Sequence, residues 1–387
     1  MKTVCDKNMC AGCMACVDVC PKNAITVRDS LEFYNAVVDV NKCIDCNACT
    51  RVCQQLNHSN LLKPIKWFQG WATEDSVRCN GSSGGVAYAI EKMFVREGGL
   101  VASCYFDKGI FGFKCTQNED ELIDFVGSKY VKSNPEGIYK KISIELKQGK
   151  KVLFVGLPCQ VAAVKKFIKE SDQAGLYTID LICHGTPSPS VLNIYLKQYG
   201  ASLSSVVKMK FRTKQNFQVV SDYIPAEGEF GICDHYSTAF LNCVCYTENC
   251  YSCAYARTER IGDITLGDSW GSSLSAAETN KGVSLILCQT AKGEQLLREA
   301  GIHLEDVDLD NAVAHNHQLQ EPSKAPDFRP FFFKSIKGGK NFNSIILRCY
   351  PWICFKQRIK KSLIKMKLYK SGGGVLRKLF CEKKQRS

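Results

Sequence analysis

Two stretches decide how this chain is read: Cys10-Ala11-Gly12-Cys13-Met14-Ala15-Cys16-Val17-Asp18-Val19-Cys20-Pro21 and Cys43-Ile44-Asp45-Cys46-Asn47-Ala48-Cys49-Thr50-Arg51-Val52-Cys53-Gln54. Each spaces its cysteines as C-x2-C-x2-C-x3-C, and the second repeats the first after 33 residues. Two residues between cysteines let three thiolates of one tight loop converge on three corners of an iron–sulfur cube. The same loop is too short to reach the fourth corner, so the remote cysteine of each run serves the other cube. A zinc ribbon built from two C-x2-C pairs would use four of these cysteines and leave four unexplained. Between the runs, residues 24–27 and 36–40 read as short strands that wall the site off from water.

The two runs resemble the bacterial two-cluster ferredoxins over residues 3–56. Carried over position by position, the resemblance implies one [4Fe-4S] cluster on Cys10, Cys13, Cys16 and Cys53 and a second on Cys43, Cys46, Cys49 and Cys20. Pro21 follows the first run as in that family, whereas Gln54 stands where the second run would have a proline. Cys5 lies outside the pattern and reads as a packed thiol.

Working outward, the chain has 387 residues, enough for two or three domains of roughly 100–200 residues each. With 45% hydrophobic and 23% charged residues it is globular over most of its length. Its 23 cysteines stand out in a chain far too long to be a small disulfide scaffold, and they require a metal or redox explanation. The net charge of +13 is unevenly placed: residues 1–330 carry 35 Lys and Arg against 37 Asp and Glu, and residues 331–387 carry 16 against 1. The body therefore has no basic face for nucleic acid, and no nucleic-acid partner is expected. The first residues lack the apolar core of a signal peptide, and no uncharged apolar run is long enough to span a bilayer. A cytoplasmic location follows, where thiols stay reduced.

From about residue 67 the pattern alternates strands with helices, which predicts an α/β domain. Asn80-Gly81-Ser82-Ser83-Gly84-Gly85-Val86 precedes a helix over 87–97. Glycines there let the backbone approach a ligand, and the free N–H groups of a helix start favour a phosphate, although a plain turn and cap would look the same. A strand over 150–156 leads into Leu157-Pro158-Cys159-Gln160 and a helix to residue 170. A second strand over 177–182 leads into Cys183-His184-Gly185. Both cysteines sit just past the carboxyl end of a strand, where open α/β sheets place their ligands, though each alone could be a buried thiol. Cys245-x4-Cys250-x2-Cys253 offers three more thiolates. These suit a third iron–sulfur site with Cys159 or Cys183 as the fourth ligand, or a zinc site that also uses Cys243.

The set Gly81-Ser82-Ser83-Gly84-Gly85, Gly127-Ser128-Lys129-Tyr130-Val131, Gly156-Leu157-Pro158-Cys159-Gln160, Cys183-His184-Gly185, Phe211-Arg212, Cys250-Tyr251-Ser252-Cys253 and Gly262-Asp263-Ile264-Thr265-Leu266-Gly267-Asp268 is similar to the coenzyme F-420 hydrogenase/dehydrogenase beta-subunit family. It runs in the family's order over residues 70–330. The resemblance implies FAD held near Ser82, Ser83, Gly84, Gly85 and Val86 and near Ser128, Lys129 and Tyr130, with one cluster on the central cysteines. It also implies an iron–sulfur flavoprotein oxidoreductase that passes electrons between [4Fe-4S] clusters, FAD and a reducible acceptor, with bacterial relatives in cell-surface polysaccharide gene sets. The alternative is an electron-transfer subunit without its own substrate, feeding a partner enzyme. Either reading calls for a redox donor or acceptor protein. Leu157, where Thr is commoner, and Ser269, where Phe is commoner, depart from the family pattern close to the expected site. Hydride chemistry needs no acid–base dyad, and the histidines read as structural or surface residues. Asp263 and Asp268 read as turn residues, and Lys129 either neutralises a phosphate or is solvated.

In residues 352–370, Trp352, Phe355, Ile359, Leu363 and Met366 recur at three- and four-residue steps among lysines and arginines. This predicts a basic amphipathic helix, ended by Ser371-Gly372-Gly373-Gly374, that lies on the inner face of a membrane or packs on the body. The expected organisation is an α+β ferredoxin-like segment (1–60), an α/β flavin- and Fe-S-binding body (67–330) and a basic helical tail (331–387).

Overall fold

The computed structural model describes residues 2–214, 216–226 and 231–366. Its strands are β1 (Lys2–Thr3), β2 (Ile25–Asp29), β3 (Tyr34–Val38), β4 (Lys66–Ala72), β5 (Leu100–Asp107), β6 (Ile110–Thr116), β7 (Val152–Gly156), β8 (Leu176–Leu181), β9 (Met209–Arg212), β10 (Phe217–Ser221), β11 (Ile264–Asp268), β12 (Ser284–Cys288) and β13 (Ile302–Glu305). β2 and β3 pair antiparallel with Val27 opposite Ala36, and β1 joins the free edge of β3. Helices Ala15–Val19 and Ala48–Val52 begin after left-handed residues, Met14 at φ 61° and Asn47 at φ 56°, so the 33-residue repeat extends to the backbone.

The body is built on one eight-stranded sheet in the order β13-β4-β12-β11-β8-β7-β5-β6. Its middle strands β5, β7, β8 and β11 are parallel, and the outer strands pair antiparallel. The run Val152-Leu153-Phe154-Val155 is apolar throughout because both faces of the sheet are covered. Val152 and Phe154 pack with Ile138, Ile142 and Val161 on one side, and Leu153 and Val155 with Ile90, Phe94 and Leu297 on the other. Each such side chain, fully buried, stabilises the fold by about 1.5–3 kcal/mol.

The N-terminal segment shares this core. Cys13, Ala15 and Val52 pack in the same cluster as Tyr139 and Phe154. The buried Asp18 carboxylate accepts from the backbone N–H of Gly137 (2.6 Å) and Tyr139 (3.1 Å), and Lys132 Nζ donates to the Ala11 carbonyl at 2.9 Å.

The boundary expected at residue 330 is corrected. Helices Arg329–Lys337 and Phe342–Cys349 pack with helices Pro189–Lys197 and His235–Leu241, and Phe332, Phe333, Phe342 and Ile346 are fully buried there. The body therefore continues through Cys349 instead of closing at residue 330. Averaged charge hid the apolar face of these helices. The basic helix runs from Pro351 to Lys365 and docks by one side: Cys354 is buried, Gln357 Oε1 accepts from the Cys233 N–H at 3.2 Å, and Lys360 Nζ donates to the Gly231 carbonyl at 2.8 Å. The expected continuation over 367–370 and the glycine run at 372–374 lie outside the described residues. Among the described residues no helix is long and apolar enough to cross a membrane.

Candidate redox centres

The fold gathers twelve of the expected ligand cysteines into three cavities, four to each. Cys53 lines one cavity with Cys10, Cys13 and Cys16, and Cys20 lines another with Cys43, Cys46 and Cys49. The remote cysteine of each run thus stands with the other run's loop. The inner cavity has all four cysteines buried, whereas at the outer one Cys46 is exposed and the others are half-buried. Cys5 is a fifth thiol on the inner cavity, directed at Cys10 and Cys53.

The third cavity is lined by Cys159, Cys183, Cys250 and Cys253. Pro158 opens helix Pro158–Phe167 directly after β7, which fixes Cys159 in the first turn, and the Leu157 N–H donates to Gln160 Oε1 at 2.9 Å. After β8 the chain passes Cys183 and turns at Gly185 (φ 134°), where a Cβ would fall 2.4 Å from the Tyr246 ring. Cys250 and Cys253 lie in and just after the short helix Glu248–Ser252. Both Cys159 and Cys183 line this cavity, where the sequence offered one or the other as the partner of Cys250 and Cys253. Cys245 is not in the set: it is fully buried in the aromatic cluster with Tyr236 and Tyr246, and spacing alone could not show which way it faced. Cys243 also lies outside this cavity.

Burial pushes the Cys159 and Cys183 thiols up, and the neighbouring cysteines add to the shift. Thiols raised in this way ionise together only if a cationic core enters among them, which suits a cluster. No group of three or more His, Cys, Asp or Glu among the described residues is arranged for a single metal ion.

A cavity of about 580 Å³ opens at the carboxyl ends of β7, β8 and β11, a volume typical of sites for cofactor-sized ligands. Gly81, Ser82, Ser83, Gly85 and Val86 line it at the start of helix Val86–Arg96, facing Ser128, Lys129 and Tyr130. The Ser128 N–H donates to Ser82 Oγ at 2.8 Å, tying the two loops together. Gly84 does not line the cavity. Its N–H donates to Ser284 Oγ, and a Cβ there would lie 2.4 Å from the Gly70 carbonyl, so that glycine serves close packing on β4. Lys129 is half-buried and held in place: its ammonium donates to the carbonyls of Asp124, Phe125 and Val126, and burial lowers its pKa. Tyr130 stacks on Phe240 with ring centroids 4.3 Å apart, and Arg212 binds Asp268 at 2.7 Å beside the Tyr130 hydroxyl. Asp268 therefore faces the cavity, while Asp263 is tied up by Thr178 and Thr290.

Several lining residues escaped the sequence reading. His184, His315 and His317 all reach this cavity, and burial lowers the His184 pKa. Glu91 is 3% exposed, beside Ser103 and Lys129, and burial pushes its carboxyl up to about 8. The available signal was an acidic residue interrupting the apolar run of Val86–Arg96. Leu157, which departs from the family pattern, lies in the wall shared by this cavity and the third cysteine cavity.

The four cavities form a series. The outer and inner cysteine cavities share Val4, and the inner and central ones share Ala11 and Gln55. The central and large ones share Leu157, Gln160, His184 and Gln318.

Residues 149–310 match the family described as the C terminus of the coenzyme F420 hydrogenase/dehydrogenase beta subunit, and residues 9–57 match the 4Fe-4S dicluster domain. A chain of the xenon-derivatised F420-reducing [NiFe] hydrogenase complex from Methanosarcina barkeri is similar at 18% identity and a TM-score of 0.44, over 66% of this chain and 91% of that one. No curated protein matches. An iron–sulfur dicluster domain joined to such a body supports an electron-transfer role of the oxidoreductase kind. Residues 149–310 are thus similar to the coenzyme F420 hydrogenase/dehydrogenase beta-subunit family, carried in one chain with a stretch that matches the 4Fe-4S dicluster domain.

Proposed function

We propose that this chain is an iron–sulfur flavoprotein oxidoreductase that conducts electrons between a redox partner protein at its outward cysteine run and a small acceptor at the large cavity. The observation that carries this reading is the unbroken series of cavities, each sharing wall residues with the next. Three [4Fe-4S] clusters would be held by Cys20, Cys43, Cys46 and Cys49, by Cys10, Cys13, Cys16 and Cys53, and by Cys159, Cys183, Cys250 and Cys253. FAD would lie along Ser82, Ser83, Gly85 and Val86, facing Ser128 and Tyr130. When bound, the clusters supply one-electron transfer and the flavin two-electron chemistry.

The chain's own residues provide the rest. The helix start at Val86 offers free N–H groups to a phosphate without a cation, since Lys129 and Arg212 are engaged elsewhere. Arg212 and Asp268 hold the rim, and Phe240 fixes the Tyr130 ring. Glu91, with its carboxyl raised to about 8, is mostly protonated at pH 7 and can hold or release a proton inside the cavity.

Anaerobic purification should yield about twelve irons per chain, from three four-iron clusters, and one flavin that dithionite reduces and an added small acceptor reoxidises. Only eight irons would remove the central cluster. Clusters without flavin would leave an electron-transfer subunit that feeds a partner enzyme. Cys250→Ser should lower iron by about four atoms while the ferredoxin-like pair stays intact.

On the same reading, the basic helix Pro351–Lys365 touches an anionic membrane at the cytoplasmic face. Trp352 (60% exposed) and Phe355 (51%) stack 5.6 Å apart and stand clear of the docked Cys354. Attraction of about 1 kcal/mol per basic residue near the surface would supply reversible binding. Trp352→Ala with Phe355→Ala should reduce co-sedimentation with anionic vesicles at least fivefold, and unchanged sedimentation would refute the contact.

A further inference from the structure

Gln54 replaces the proline that usually follows the fourth cysteine of such a run, and the fold gives it two neighbours that the run by itself does not reveal. Its side chain is 1% exposed and lines the inner cysteine cavity with Cys10, Cys13, Cys16 and Cys53. Its Oε1 accepts a hydrogen bond from the Tyr255 hydroxyl at 2.6 Å. Tyr255 lines the central cavity with Cys159, Cys183, Cys250 and Cys253. It is fixed from behind by Arg260, whose guanidinium donates to the Tyr255 carbonyl (2.6 Å) and is paired with the buried Asp180. One hydrogen bond therefore joins the walls of two cysteine cavities.

Two further atoms mark this junction. Gln54 Nε2 is buried and has no hydrogen-bond partner among the described residues, and the same holds for the hydroxyl of Tyr139, which packs in one cluster with Cys13 and Cys159. A buried amide N–H left unpaired costs about 1–3 kcal/mol, so native folds rarely keep one without an acceptor. A cluster on the four cysteines of the inner cavity would present sulfur acceptors to the Gln54 amide, and N–H bonds to cluster sulfurs are a principal control of cluster potential.

We propose that Gln54 is a positioning residue that tunes the inner cluster: its amide donates to cluster sulfur while Tyr255 holds the amide in place from the central site. This inference rests on the relay proposed above and deepens it. A donor at sulfur stabilises the reduced, more negative form, so Gln54 raises the inner cluster's potential relative to its neighbours. One electron leaves one site and arrives at the next, and no bond or proton need move at Gln54.

The test is a potentiometric titration of the anaerobic holoprotein followed by paramagnetic resonance, with iron counted in every sample. Gln54→Met, which keeps the length and removes the donor, should shift electron sharing away from the inner cluster three- to tenfold. At 59 mV per decade for a one-electron couple, this is roughly 30–60 mV. Tyr255→Phe should give a smaller shift of the same sign, and the outer cluster should not move in either variant. Full iron with an unmoved inner potential would overturn the role of Gln54 and leave the relay standing, whereas loss of the central four irons from the wild-type count would sink the relay itself. A measurement that needs no variant covers a failure to fold. Reduced wild-type protein carrying glutamine labelled with 15N at the side-chain nitrogen should show a 15N coupling to the inner cluster, and absence of that coupling would also overturn the proposal.

Discussion

The two cysteine runs share a spacing, a five-residue helix and a left-handed backbone at matching positions, yet they live in different surroundings. Gly12 and Asp45 are equivalent in the repeat and have φ 68° and 50°. A Cβ on Gly12 would fall 2.5 Å from the Tyr34 ring and 3.0 Å from the Lys132 side chain, whereas Asp45 stands in the open and pairs with Lys2. Asp18 and Arg51 are likewise equivalent. Asp18 is buried and caps helix Ile138–Lys147, while the exposed Arg51 side chain donates to the Cys46 carbonyl of its own loop. The same ligand geometry is thus built twice, once as part of the core and once as a surface feature. An inner site sealed by the body and an outer site open to solvent suit a conductor with one end free for a partner.

Ligand replacement probes this asymmetry most severely. Cys13→Ser should remove about four irons and also lower the thermal midpoint, because that side chain belongs to the body's core. Cys46→Ser should remove the same iron and leave the midpoint nearly unchanged. Equal loss of stability in iron-matched samples would break the distinction. Next, Asp18→Ala leaves two backbone N–H groups of the body without their acceptor and should cost about 2–3 kcal/mol in denaturant unfolding. Gly12→Ala combines left-handed strain with a close approach to Tyr34 and should cost about 2 kcal/mol, with preferential loss of the inner cluster's signal. The smallest change is expected for Arg51→Ala, within about 0.5 kcal/mol of wild type. A larger cost would mean that the outer run is also structural.

The parts of the fold that were readable are those in which neighbours in sequence are neighbours in space. The cysteine spacing placed three thiolates on each loop, and the apolar runs at 150–156 and 177–182 became β7 and β8. Cys159 and Cys183 were picked out because each follows a strand, and the sheet does bring both to one cavity. Cys245 and Gly84 were misplaced for a common reason: each lies within a few residues of cavity-lining neighbours but faces the other way. The segment 331–349 was assigned to the tail because its charge is basic on average, although Phe332, Phe333 and Phe342 form a buried face. His184 lies more than 130 residues from His315 and His317, so nothing in the sequence relates it to that pair, which reaches the cavity from the end of helix Leu309–His315 and the turn after it.

The sequence by itself determined the local chemistry: which cysteines lie close enough to share a cube, where the strands run apolar on both faces, and where glycines open a helix start. Only the tertiary structure decided that one run is buried and the other exposed, that Cys250 and Cys253 join Cys159 and Cys183, and that Gln54 meets Tyr255 across 201 residues. The physical reason is one of range. Loop length and backbone sterics act over a few residues, whereas burial and the direction of a side chain depend on segments that meet only when the sheet and its covering helices pack.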